Sequence, residues 1–196
     1  MRIELEKGVK KVNSIINEIL KKKKIVIVSI AGGSASGKTY VAKNVDGKVL
    51  SMDDYYIGIK RMKDHNFDKP SALDLRLLKK HLHELKKNKT IKKPIYNFKA
   101  HSRSGYEKFK PAKVIIIEGL FALNEILRNK VDLKVFIEMP EKKRLKWRIM
   151  RDVKERGRTR DSVIKQWRET VQPNYLKYVL PTKRYADIML INKFKF

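Results

Sequence analysis

Apolar residues fall in two rhythms along this chain. Residues 25–30, 114–119, 133–138 and 187–191 hold largely aliphatic runs, and residues 48–51 read as a further strand. Runs without alternation are buried on both faces, as strands inside a parallel sheet are. The second rhythm is helical. Residues 3–20 set Ile3, Leu5, Val9, Val12, Ile15, Ile16, Ile19 and Leu20 near one stripe and run into Lys21 to Lys24, a charge that suits a helix C-terminus. Together these form a basic N-terminal helical segment, residues 1–24. Residues 71–85 repeat the pattern, with Ser71 as N-cap and Leu73, Leu75, Leu78, Leu82 and Leu85 on one side. A short helix over 39–44 is stopped at once by Asp46-Gly47. A basic helix covers 141–155, and after Arg156-Gly157-Arg158 another runs to about 171. Residues 90–104 are polar, aromatic and strand-prone, and read as a hairpin or extended flap within 90–110.

Strands alternating with helices imply an α/β fold: a five-stranded parallel sheet with helices on both faces, in one domain spanning residues 1–196. Ligands of such sheets sit beyond the carboxyl ends of the strands. There the chain carries Gly32-Gly33-Ser34-Ala35-Ser36-Gly37-Lys38-Thr39, which satisfies G-x-x-x-x-G-K-[ST] in full, with a strand before it and a helix after it. Turning through glycines into a helix N-terminus aims several backbone N–H groups at one point, where the helix dipole adds positive charge. This is a triphosphate cradle, and the architecture is a three-layer sandwich of the P-loop NTPase type. Lys38 is expected to reach the β- and γ-phosphates, and Thr39 to offer its hydroxyl to Mg²⁺.

Charge adds a second theme. Lys and Arg number 48 against 21 Asp and Glu, a net charge of +27. That excess favours polyanions, so weak non-specific nucleic-acid binding is expected unless the lysines merely solvate helix faces. There is no cysteine, which fits a cytoplasmic protein; no apolar run approaches a membrane span; and the charged N-terminus has no signal-peptide core.

Triphosphate binding alone leaves switch, motor and kinase open. Asn129-Lys130-Val131-Asp132 spells the guanine-reading N-K-x-D, but it precedes a strand instead of following one, and no D-x-x-G accompanies it; it reads as a loop coincidence. His81 and His83 do not share a helix face and read as solvated surface. A kinase needs a base near the acceptor hydroxyl, a carboxylate for the metal, and cations over the moving phosphoryl group. Asp53 at the tip of the second strand can take the hydroxyl proton, and Glu118 at the end of the third can hold Mg²⁺. Arg148, Arg151, Arg156 and Arg158 recur along the basic helix and its exit. With the Gly157 turn they suit a lid over residues 141–171 that swings onto the phosphates.

The chain resembles the uridine kinase (uridine–cytidine kinase) branch of the phosphoribulokinase/uridine kinase group. The matching residues are Gly32 to Thr39, Ser51-Met52-Asp53-Asp54-Tyr55-Tyr56, Asn66-Phe67-Asp68-Lys69-Pro70, and Pro94-Ile95-Tyr96-Asn97-Phe98 with His101-Ser102-Arg103. Further on come Ile117-Glu118-Gly119, Arg148-Ile149-Met150-Arg151-Asp152 leading to Glu155-Arg156-Gly157-Arg158, Gln166, and Pro181 to Asp187. The resemblance implies ATP-dependent phosphorylation of a pyrimidine nucleoside 5′-hydroxyl. It makes Asp53 the general base and sets Thr39 with Glu118 around Mg²⁺. Asp68 holds the ribose hydroxyls with help from Arg148 and Gln166. Tyr96 and His101 read the pyrimidine edge, enclosed by Tyr56, Phe67 and Phe98. Arg151, Arg156 and Arg158 close on the phosphates. A homo-oligomer is compatible with the resemblance. Three departures stand out: a short helix after the P-loop, only residues 192–196 after the last strand, and the basic N-terminal helix. The first two imply a permissive donor site that takes GTP as well as ATP. The third keeps open a P-loop kinase acting on an RNA 5′-hydroxyl or a sugar phosphate, and a nucleic-acid-binding P-loop protein.

Overall fold

The structure, a computed structural model, describes residues 1–62 and 64–193; of the tail singled out above, 194–196 lie outside the described residues. In chain order the elements are β1 (Arg2–Glu4), α1 (Leu5–Leu20), β2 (Val26–Gly32), α2 (Lys38–Asn44), β3 (Lys48–Ser51), α3 (Leu75–Lys86), β4 (Ile91–Asn97), β5 (Ser102–Phe109), β6 (Val114–Gly119), α4 (Glu125–Arg128), β7 (Leu133–Glu138), α5 (Glu141–Arg156), α6 (Arg160–Gln166) and β8 (Ile188–Ile191). The main sheet is wholly parallel in the order β1-β8-β7-β2-β6-β3. Successive β2 residues serve opposite faces, which is why its apolar run is unbroken. Ile27 and Ala31 join Leu50, Leu78, Leu82 and Ile117 on one side. Val26, Val28 and Ile30 join Val12, Ile16, Val41 and Leu190 on the other.

The sandwich follows the sequence reading, with six strands instead of five. The extra strand is the front of what reads as the N-terminal helix. Arg2, Ile3 and Glu4 pair in parallel with Met189, Leu190 and Ile191, so the helix begins at Leu5 and not at residue 3. A three-residue strand has no period of its own; only an open edge on β8 reveals it. Helix α1 then lies directly on that edge. A Cβ on Gly8 would collide with the Leu190 side chain, so glycine there permits the close approach.

Two helix boundaries also move. Helix α3 starts at Leu75, capped by Asp74, whose carboxylate accepts from Leu77 N at 3.0 Å; Ser71 is not its cap. The backbone is held extended there because Asp74 N donates to Tyr55 O at 2.9 Å and Leu73 bridges Tyr56. The helical path after α6 does not end near 171. It continues through wide turns at Trp167–Val171 and Tyr175–Val179 to a 3₁₀ segment at Leu180–Tyr185. Strands β4 and β5 form the expected hairpin, antiparallel with a bulge between Ile95 and Tyr96. His81, read as solvated, is buried: its Nδ1 lies 2.8 Å from Tyr55 Oη, and burial holds its pKa below the usual value. Asp132 of the N-K-x-D stretch is a structural corner that accepts from Ile27 N at 2.8 Å and pairs with Lys23 and Lys86. Among the described residues no helix is long and apolar enough to cross a membrane.

Candidate active site

The P-loop bends from β2 into α2 with the lysine folded over it. Lys38 Nζ donates to Gly33 O at 2.9 Å. Burial lowers the Lys38 pKa, while the Glu118 and Asp53 carboxylates oppose that shift. The turn itself closes through Ser36 N donating to Gly33 O at 3.2 Å. Gly32, Gly33 and Ser36 are buried, Ser34, Ala35, Gly37 and Lys38 are partly covered, and Thr39 is exposed in the first turn of α2. Two residues that the sequence reading passed over brace the loop. Asn192 donates from Nδ2 to Ser36 O at 3.0 Å. Arg144 lies buried behind Gly33, where an added Cβ would meet its Nη1 at 2.6 Å. Its guanidinium stacks 4.0 Å from the Tyr175 ring centre and donates to Met139 O and Gln172 Oε1, leaving Nη1 without a partner among the described residues. Nothing in the pattern of α5 separates Arg144 from its solvated neighbours.

Strand order brings the carboxylates to the same place. Strand β6 lies between β2 and β3, and the register sets Glu118 beside both Ile30 and Ser51. Ser51 Oγ donates to Glu118 Oε1 at 3.4 Å and accepts from Asp53 N at 3.2 Å, so one hydroxyl positions both acids. Burial raises the Asp53 pKa, opposed first by Lys38 and then by Arg156; burial likewise raises that of Glu118, opposed by Lys38. The adjoining Asp54 is not free to share in this, because Lys93 of the hairpin holds it at 2.6 Å. A Thr hydroxyl and a Glu carboxylate at a phosphate cradle are hard oxygen donors. Among the described residues no cluster of three His, Cys or acidic side chains could hold a metal unaided. That combination suits Mg²⁺, which keeps waters and takes substrate phosphates as further ligands.

Across from these acids stands an aromatic cluster. Tyr56 lies 5.4 Å from Phe67 and 5.3 Å from Tyr96; Tyr96 is 5.2 Å from Phe98, and Phe67 is 5.3 Å from His101, centre to centre. All five were singled out from sequence, and the fold joins them from three separate segments. Tyr96 Oη is buried without a hydrogen-bond partner among the described residues. Such a group is costly unless something pairs with it. Phe98 and His101 remain exposed on the hairpin turn, where His101 adopts φ 48°. Arg103 anchors that hairpin by donating to Tyr56 O at 3.0 Å and Tyr55 O at 3.1 Å. Asp68 is buried and accepts from Thr170 Oγ1 at 3.0 Å; burial raises its pKa, opposed by Arg148.

The arginines converge as expected, although they do not hang free. Arg148 donates to Ser34 Oγ and Gln166 Oε1, each at 2.9 Å, and pairs through Nε with Asp152. Arg151, Arg156 and Arg158 pair with the same fully buried Asp152. Arg158 also donates to Gln166 Oε1 and Ser162 O, and its backbone N–H donates to Asp152 O at 3.1 Å. Arg156 and Arg158, on either side of the Gly157 turn, both reach back to this carboxylate. One carboxylate gathers all four. Gln166 accepts from both Arg148 and Arg158. Arg156 also approaches the Phe98 ring of the β4–β5 hairpin, at 5.8 Å.

Comparison with known proteins agrees with this arrangement. The family model described as "Phosphoribulokinase / Uridine kinase family" matches residues 48–193. The chain is 43% identical to a protein named uridine kinase from Lactobacillus helveticus (strain DPC 4571), covering 87% of this chain and 88% of that one. It is 41% identical to a uridine kinase from Ligilactobacillus salivarius (strain UCC118), covering 85% of each. Among solved structures, one named for a fructose transport system kinase from Silicibacter sp. TM1040 superposes with a TM-score of 0.72 at 16% identity, over 90% of this chain and 97% of that one. YFH7 from Saccharomyces cerevisiae, described as a P-loop containing kinase with a circular permutation, gives 0.72 at 10% identity over 95% and 99%. The last two speak for the fold alone. On the family match and these identities, the chain belongs to the phosphoribulokinase/uridine kinase family of P-loop kinases.

Proposed function

We propose that this kinase transfers the γ-phosphoryl group of ATP, with GTP as an alternative donor, to the 5′-hydroxyl of a pyrimidine nucleoside, uridine or cytidine. The observation that carries the reading is the unpartnered, buried Tyr96 Oη, within an aromatic cluster close enough to Asp53 to feel its charge. Flat apolar walls with few polar groups suit a neutral heterocycle. The names of the relatives from Lactobacillus helveticus and Ligilactobacillus salivarius point the same way.

In this mechanism Tyr56, Phe67 and Phe98 enclose the ring, while Tyr96 Oη and the His101 imidazole pair with its polar edge. Asp68 accepts from the ribose hydroxyls, with Arg148 and Gln166 supporting it. The 5′-hydroxyl is thereby set beside Asp53. Asp53 takes its proton as the new oxygen–phosphorus bond forms and the bond from the γ-phosphorus to the β–γ bridging oxygen breaks. The backbone N–H groups of Gly32 to Thr39 hold the triphosphate, and Lys38 follows the charge that passes to the leaving diphosphate. Arg151, Arg156 and Arg158 close over the transferring group, with Arg158 also on the donor side. Thr39 and Glu118 would hold Mg²⁺, which supplies charge neutralisation at the phosphate oxygens. The sheet, the residue 90–110 hairpin and the residue 141–171 lid act here as one catalytic unit. The test is a panel of nucleosides, ribulose 5-phosphate and 5′-hydroxyl oligoribonucleotides, each with ATP and Mg²⁺. Turnover confined to uridine and cytidine is expected; preference for the sugar phosphate or the oligonucleotide overturns the proposal.

A further inference from the structure

Strands β7, β2, β6 and β3 are neighbours in that order, all parallel, and each begins beside a lysine at the end of the sheet away from the P-loop. Lys24 precedes β2, Lys113 precedes β6, Lys48 opens β3, and Lys130 stands in the turn into β7; all four are exposed. Neighbouring strands lie about 4.8 Å apart, so the row is about 15 Å long. Helices α1 and α3 cover opposite faces of the sheet, and both end here. They add Lys21 to Lys23 on one side and Lys86 and Lys87 on the other. The carboxylates beside them are mostly taken. Asp132 is held by Lys23 and Lys86, and Glu18 by Lys21, which leaves Asp46 and Glu84.

Ordinary causes account for only part of this charge. A helix C-terminus favours cations, which explains Lys21, Lys22, Lys86 and Lys87. Strand starts have no such dipole. Lys24, Lys113 and Lys130 have no side-chain hydrogen bond or ion pair among the described residues. Lys48 donates to Lys110 O at 3.1 Å, with its Nζ 4.2 Å from the centre of the Phe109 ring, and meets no acid. Like charges gathered without counter-charges cost stability, and an external polyanion relieves that cost. We infer that this end of the sheet binds the phosphate backbone of a double-stranded nucleic acid, apart from the kinase cleft and without reading sequence. A duplex carries one charge per roughly 1.7 Å of its axis, so the row spans several phosphates. No exposed aromatic ring lies among these strand starts in the described residues, so unpaired bases find no platform to stack on. Val49 is the one large apolar side chain exposed there among the described residues, too little to enter a bilayer. Asp53, Glu118 and the P-loop lie at the opposite, carboxyl ends of these strands, so a bound duplex leaves the cleft open.

Fluorescence anisotropy of the intact protein with RNA and DNA duplexes of about 20 base pairs, at about 50 to 200 mM salt, tests this. One variant carries Lys22→Gln, Lys24→Gln and Lys113→Gln. A second loses the same charge elsewhere, through Lys7→Gln, Lys142→Gln and Arg168→Gln, all at exposed positions. The first should bind duplex at least about tenfold more weakly at about 100 mM salt, and its slope of log K against log salt should be shallower by about two to three. The second should stay within about threefold of wild type. Binding of either duplex on these terms supports the proposal, and the tighter one shows which form is preferred. In wild type the duplex should also protect Lys24 and Lys113 from acetylation, a readout that needs no variant. Equal losses in the two variants, displacement of the duplex by ATP, or absence of that protection overturns the proposal. So does failure of wild type to bind either duplex, or tighter binding to phosphatidylserine vesicles than to both.

Discussion

Replacing Asp152 by Asn is the most informative single perturbation of the lid. The side chain is fully buried, and four arginines share it. Of these only Arg148 is itself buried, with its side chain 8% exposed; Arg151, Arg156 and Arg158 are between 31% and 45% exposed. Breaking a buried ion pair costs about 3–5 kcal/mol, and an exposed pair about 0–1 kcal/mol. Arg148 keeps its bonds to Ser34 and Gln166, which places the loss at the lower end, near 3 kcal/mol. For a domain of this size each kcal/mol moves Tm by about 2–4 °C, so the variant should melt about 6–12 °C below wild type. Scanning calorimetry of both proteins at matched pH and salt measures this. Donor KM should rise as well, because the same carboxylate orients Arg151 and Arg156. A Tm within about 2 °C of wild type would refute the reasoning, since the arginines would then be held without the charge.

Three further outcomes are expected. Asp53→Asn should lower turnover by roughly 10²-fold or more with ATP binding retained. Because burial raises the Asp53 pKa and the base must be ionised, wild-type kcat/KM should fall as pH drops through a point above the ordinary carboxylate range. The residual activity of the variant should lack that limb; a shared pH profile would remove Asp53 from the step. Tyr96→Phe and His101→Ala should damage uridine turnover and spare ATP binding, as measured by nucleoside KM beside donor titration; unchanged KM in both would make them packing residues. Gly33→Ala should weaken triphosphate binding at least as much as it lowers Tm, because the new methyl meets Arg144 Nη1 at 2.6 Å and Tyr175 Cε2 at 3.0 Å; normal donor affinity would mean the guanidinium does not brace the loop.

Much of this molecule is legible from local pattern, and the reason is physical. Strands buried on both faces have no polar alternation to hide, so β2, β6 and β7 stand out within a residue or two of their ends; β8 is also found, and β3, at the sheet edge with Lys48 and Val49 exposed, is marked by its place after the Asp46-Gly47 stop. The phosphate cradle is equally local: glycines, a lysine and a threonine at set spacing between strand and helix suffice. Motifs at the carboxyl ends of strands named Asp53 and Glu118, and the parallel order then required them to meet. What stayed hidden depends on partners distant in sequence. Strand β1 is three residues whose only reason to be extended is the open edge of β8. Asp74 replaces Ser71 as a cap because Tyr55 O captures its N–H. His81 turns inward because Tyr55 Oη is waiting for it. Arg144 and Asp152 are charges on a basic helix, and no period distinguishes them from their neighbours. Each is buried because packing surrounds a charge that has a matching group: aromatic faces and a glycine for Arg144, four guanidinium groups for Asp152. Nothing local to α5 tells which of its sides faces inward, and what that side meets is a property of the folded chain alone.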